Sequence, residues 1–143
     1  VDVPYPDMDA ERQILTQTTG THEAKAKPVI DAKRLISMQA LIRAMPVPET
    51  VVDAILTLVR SARPSSSHPE AEKHISWGPG PRAGQSLMLC TRARALYEGR
   101  LAPSIDDVHA LAEPVLQHRM ALNFAARAEG MNVRQVIAKL LKA

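Results

Sequence analysis

Apolar residues recur at three- and four-residue spacing in one segment of this chain after another, and proline or glycine closes most of them. That period marks the buried stripe of an amphipathic helix, and the punctuation sets where each helix starts and stops. From Asp31 the stripe is Leu35, Met38, Ile42 and Met45, with Ile36 and Leu41 beside it, and Pro46 ends it. A second stripe has Val52, Ile55, Leu56 and Val59, with Pro48 where a first helical turn tolerates proline. A third helix runs from Pro81 to about Glu98, is expected to bury Leu89, Cys90, Ala93, Leu96 and Tyr97, and stops at Gly99. A fourth opens on Ser104 with Asp107 three residues later, the spacing of a capping box, and carries Ile105, Val108, Leu111, Ala112, Val115 and Leu116. Pro114 should bend or restart it. The last, capped by Asn132 with Gln135, carries Val133, Val136, Ile137 and Leu140. The fold class that follows is all-α, a bundle of about five helices. A short extended segment, His74 to Trp77, precedes the turn Gly78-Pro79-Gly80-Pro81-Arg82. With aromatics at only 3% of the chain, the core must come from Leu, Ile, Val, Ala and Met, which also favours helices over sheet.

Two stretches flank this bundle differently. Asp7 to Leu15 reads as one more short helix that ends by Gly20, and Thr21 to Pro28, polar and aperiodic, reads as a linker. Pro64-Ser65-Ser66-Ser67-His68-Pro69 has the composition of an exposed loop.

Several function classes fall away on composition. No run of about 18 apolar residues exists, so no membrane span is expected, and the first residues lack the pattern of a secretory signal. The single cysteine, Cys90, permits no internal disulfide, and a cytoplasmic setting is the expectation. A net charge of +3 permits nucleic-acid binding without indicating it. The chain opens without methionine, as a piece of a longer protein would. No G-x-x-x-x-G-K-[ST] loop and no apolar strand ending in paired acids is present, so the chain should not bind and hydrolyse ATP by itself. His22-Glu23 begins a zinc-protease pattern, but Ala26 stands where its second histidine would be. His68 and His74, with no cysteine nearby, make a weak metal pattern, and no metal site is expected.

The residue with the strongest local claim to chemistry is Arg82. A cation in the first turn of a helix opposes the macrodipole, which makes sense if the side chain projects toward an anion that both can bind. Its planar fork of donors suits a phosphate, and Pro79 and Pro81 limit the turn's freedom before any ligand arrives.

The order Tyr5-Pro6-Asp7, Glu11-Arg12-Gln13-Ile14-Leu15 and Met38-Gln39-Ala40-Leu41-Ile42-Arg43 resembles the MoxR branch of the AAA+ ATPases from the end of their core domain onward. Val51 to Ile55, Leu58-Val59-Arg60-Ser61-Ala62-Arg63, Gly78 to Arg82, Gly99-Arg100 and His118-Arg119 follow in the same register, so the resemblance covers essentially the whole chain. It implies that residues 1–20 are the tail of the core domain with its hinge and residues 21–143 the helical lid. It also implies that Arg82 is the sensor-2 arginine reaching the ATP γ-phosphate, and that Tyr5 and Pro6 lie at the hinge near the adenine. The family's usual Gly-x-Ser-Pro-Arg has Gly80 at the serine position here. The resemblance further implies an ATPase as parent, with ATP and Mg²⁺ as its cofactors and this segment alone inactive. The parent would be a homo-oligomeric ring, expected as a hexamer, with a von Willebrand A domain partner. Its work would be chaperone-like remodelling or metal-cofactor maturation of client proteins.

Other residues have plainer readings. Cys90 is expected as a small buried hydrophobe, Trp77 as a core plug, Arg92, Arg94 and Arg100 as a solvated basic face, and His118-Arg119 as packed or hydrogen-bonded within the lid. The alternative function, a small helical nucleic-acid-binding module, would use that basic face, although it lacks a recognition-helix pattern and stacking aromatics.

Overall fold

The computed structural model describes residues 3–21 and 25–142, so the His22-Glu23 pair lies outside the described residues. The chain divides into two compact units, Val1–Ser37 and Met38–Ala143. In the first, α1 (Met8–Thr18) starts where the Asp7 carboxylate accepts a hydrogen bond from the Ala10 amide at 2.8 Å, and it buries none of its residues. Helix α2 (Ala32–Ala44) crosses the division between the units. Its own residues are all at least partly exposed, and burial begins with Met45 just beyond it.

The second unit holds α3 (Glu49–Ser61), α4 (Pro69–His74), β1 (Ile75–Trp77), α5 (Pro81–Tyr97), α6 (Ile105–Leu116), β2 (Ala121–Leu122), α7 (Phe124–Ala128) and α8 (Val133–Leu140). Helix α5 packs on α3 and α6, α3 on α6, and α8 on α4 and α6, enclosing an aliphatic core that includes Leu87, Leu116, Val108 and Ile137. Among the described residues the architecture is all-α apart from one two-stranded antiparallel ribbon that pairs Ile75 with Leu122 and Trp77 with Ala121.

Local signals fall where expected. The Ser104 amide donates to the Asp107 carboxylate at 2.8 Å, and Asn132 and Gln135 exchange reciprocal hydrogen bonds at 2.9 Å. Gly99 takes a φ of 74°, which a residue with a side chain rarely adopts. The Gly99 amide then bonds the Leu96 carbonyl and the Arg100 amide the Ala95 carbonyl, which closes α5 in a Schellman motif. Helix α6 continues two residues past Pro114 before it stops.

Four expectations need correction. Helix α5 buries Ala83, Leu87, Thr91 and Ala95, while Leu89, Cys90, Ala93 and Leu96 are half-buried and Tyr97 is 92% exposed. Polar residues such as Gln85, Ser86, Thr91, Arg92 and Arg94 are spread around this helix among the apolar ones, so hydrophobicity could not choose a face. Close packing against α3 and α6 selects the face with small side chains, and there a Cβ on Gly84 would lie 3.8 Å from Ile55. Helix α3 likewise buries Val51, Ile55, Leu58 and Val59, leaving Leu56 on the surface. Trp77 is 60% exposed rather than a core plug, because the register of the ribbon is irregular between Ile75 and Trp77, which takes the tryptophan off the inward face that Ile75 occupies. The loop expected at 64–69 ends at α4, whose N-cap is His68, its ring nitrogen accepting from the Glu70 amide at 3.3 Å.

Candidate functional site

Arg82 sits at the end of a construction that begins in α3. That helix ends at Ser61, and Ala62 and Arg63 follow in a tight turn that the Ser66 hydroxyl braces by donating to the Ser61 and Arg63 carbonyls at 2.9 and 2.6 Å. Gly78 lies directly on this end. A Cβ added to it would come within 2.5 Å of the Ala62 carbonyl oxygen and 2.8 Å of the Arg63 Cα. Both contacts are to backbone, so only glycine permits the approach. Pro79 is buried beside it, and Arg63 Nε donates to the Pro79 carbonyl at 3.2 Å.

Gly80 then caps α5 in the extended region, and no atom lies within 4 Å of where its Cβ would be. The family's serine would therefore fit here, and its absence forgoes only a capping hydroxyl. Pro81 occupies the first helical turn, where its missing N–H costs nothing, and Arg82 follows it. Arg82 is exposed and makes no hydrogen bond or ion pair with any described residue. The first turn of α5 also contains no acidic residue. A free guanidinium in the first turn of a helix with no carboxylate near it is an anion-accepting arrangement. Pro81, the residue before it, lines an open groove of about 400 Å³ between α3 and α5, together with Ile55, Gly84, Met88, Arg60 and Arg63.

One turn further along α5, Ser86 accepts a hydrogen bond from Arg119 at 3.1 Å. Arg119 also bonds the Val115 carbonyl at 3.3 Å and the His118 ring. The His118-Arg119 pair thus fastens the C-terminal end of α6 to the N-terminal half of α5.

The other arginines do not form a solvated basic face. Arg100 makes a bidentate pair with Asp107, both bonds 2.7 Å, and also bonds Glu98; Arg94 reaches Glu98 at 2.9 Å and Asp107 at 3.4 Å. Asp107 is 1% exposed. The Arg100 guanidinium holds the Asp107 carboxyl at a pKa of about 2, well below its ordinary value, and the Ser104 amide adds to the effect against the opposing cost of burial. Asp107 in turn holds Arg100 more firmly charged. Arg92 donates to the Arg43 carbonyl at the end of α2. His74 is buried with its ring 3.3 Å from Glu70, which Lys139 also holds at 2.9 Å, and the His68 ring nitrogen accepts from the Glu70 amide at 3.3 Å.

Tyr5, 98% exposed, and Pro6 lie in the first unit, before α1, whereas Arg82 lies in the second. In the sequence Arg63 stands only within the run Leu58-Val59-Arg60-Ser61-Ala62-Arg63. Its bond to Pro79 spans 16 residues, and no local pattern announces it.

Residues 69–140, which run from α4 through the Arg82 turn to the end of α8, match the AAA lid domain family. The chain belongs to that family, and it is a MoxR-like AAA+ lid. It is 26% identical to the chaperone MoxR1 of Mycobacterium tuberculosis over 99% of this chain and 38% of that protein. It is also 26% identical to the YeaC protein of Bacillus subtilis, over 97% of this chain and 42% of that one. A crystal structure of a protein from Cytophaga hutchinsonii, proposed to be an ATPase, has the same fold, with a TM-score of 0.79 at 22% identity. That match covers 98% of this chain and 43% of the other. The chain therefore spans about two fifths of the length of the curated relatives it matches.

Proposed function

We propose that this chain serves as the closing lid of a MoxR-like AAA+ ATPase and that Arg82 is its sensor-2 residue, contacting the γ-phosphate of ATP held by a core domain. The observation that carries the reading is an exposed, unpartnered guanidinium in the first turn of a 17-residue helix, on a turn seated against α3. Such a group gains little from its own domain and is available to charge that arrives from outside it. ATP, with Mg²⁺, would supply the phosphoanhydride whose cleavage changes the charge in front of Arg82.

The chain's own contribution is electrostatic and mechanical. A pre-aimed guanidinium stabilises negative charge on the transferred phosphoryl group, and loss of that group releases the lid. Residues 1–20, with Tyr5 and Pro6, would form the end of the core domain and the hinge beside the adenine, and residues 21–143 the lid. In the complete protein the lid angle would set the fit between subunits of a homo-oligomeric ring, a hexamer in this reading. That ring would act with a von Willebrand A domain partner in chaperone-like remodelling or metal-cofactor maturation of clients. Similarity to a chaperone of the MoxR class supports this direction.

The test is Arg82→Ala in the complete ATPase. Turnover should fall by roughly a hundredfold, as loss of one pre-aimed charge-stabilising donor typically produces. Arg82→Lys should rescue only in part, because a point charge does not reproduce the fork. Wild-type turnover of the alanine variant would refute the assignment.

A further inference from the structure

We infer that Arg63 is the positioning residue for Arg82: its guanidinium, rooted at the C-terminal end of α3, holds the turn that aims Arg82. The inference rests on the reading of Arg82 given above. Pro79 and Pro81 have no backbone N–H, so the turn has few main-chain donors with which to anchor itself. Gly78 presses on the Ala62 carbonyl, which fixes one side of the turn by contact alone. On the other side, Arg63 Nε donates to the Pro79 carbonyl at 3.2 Å, and among the described residues no other side-chain hydrogen bond reaches residues 78 to 82. Pro79 is buried, so water is a poor substitute for that donor. Only Gly80 and Pro81 separate the residue of the held carbonyl from Arg82, and a small rotation there swings a long side chain through a large arc at its tip.

The donor is Nε rather than a terminal nitrogen, which makes the requirement specific. A lysine carries its only nitrogen beyond that position and has no planar fork, so it would keep the charge and lose the geometry. Arg63 therefore acts through Arg82 by fixing its direction, and substitution at either position should affect the same step.

The measurement is a double-mutant cycle in the complete ATPase, with an amide-exchange readout on the 143-residue chain. Arg63→Ala should lower kcat by about tenfold, a loss typical of a displaced reacting group, and leave KM nearly unchanged. Arg63→Lys should behave like Arg63→Ala. The double variant Arg63→Ala/Arg82→Ala should be no slower than Arg82→Ala alone. In the 143-residue chain, Arg63→Ala should speed exchange at the Gly80, Arg82 and Ala83 amides and leave α8 as protected as before. Full rescue by lysine, a further tenfold loss in the double variant, or a uniform rise in exchange across the chain would each overturn the inference while the role of Arg82 stands. If Arg82→Ala itself retains wild-type turnover, the reading of Arg82 fails and the inference falls with it.

Discussion

The two ends of α5 treat arginine in opposite ways. At its C-terminal end, Arg94 and Arg100 close on Glu98 and on the buried carboxylate of Asp107, joining the end of α5 to the start of α6. At its N-terminal end, Arg82 faces outward with no carboxylate in its turn. The first arrangement suits the helix dipole, which favours cations at the C-terminus, and satisfies a charge that burial would otherwise penalise. The second opposes the dipole and satisfies nothing within the chain. A cation that holds a fold together is paired and partly buried, whereas one kept for a ligand stays free, and the two kinds can be told apart by mutation.

The largest effect is expected at the paired end. Asp107→Ala leaves Arg94 and Arg100 without their shared partner and removes the acceptor for the Ser104 amide, so it should cost roughly 3 kcal/mol in denaturant unfolding. A loss below about 1 kcal/mol would mean the network is ornamental. The same carboxylate sets an acid limb. Its folded pKa, about 2, lies below its ordinary value of 3.8, so its contribution is complete above pH 3.8 and disappears as pH falls toward 2. On the order of 2 kcal/mol should be lost in that window, and Asp107→Asn should flatten this part of the stability profile.

The two glycines of the Arg82 turn give the next contrast. Gly78→Ala forces a methyl into backbone atoms and should destabilise the chain by roughly 1 to 3 kcal/mol. Thermal melts that superimpose on wild type would show that the turn can lift off α3. At the unpaired end, Arg82→Ala should change stability by less than about 0.5 kcal/mol, since an exposed side chain without partners is removed. A larger loss would place Arg82 among the structural arginines. Smallest of all, Gly80→Ser should stabilise by only a few tenths of a kcal/mol, because the cap position is extended and open on every side.

Arg82 could be picked out in the sequence because everything that marks it is local. Two prolines and two glycines define the turn, and the helix stripe after it places the arginine in the first turn. Arg63 and the partners of Arg94 and Arg100 could not be assigned in the same way. The sequence spells out the cations, but which of them meets a carboxylate or a carbonyl depends on how α3, α5 and α6 cross.

The amino-acid sequence by itself determined the all-α class, the Ser104-Asp107 and Asn132-Gln135 caps, the Gly99 stop and the position of Arg82. Each of these arises from bonds or conformational preferences within about four residues. Tertiary structure decided the rest. It selected the Ala83, Leu87, Thr91, Ala95 face of α5 because close helix packing favours small side chains where polar and apolar residues are mixed around the helix and no apolar stripe marks a face. It paired Ile75 with Leu122 across the fold and left Trp77 outside, since a strand of three residues carries too little pattern to name its partner. It also laid Gly78 on Ala62 and bonded Arg63 to Pro79, contacts that exist only once α3 and the turn have been brought together.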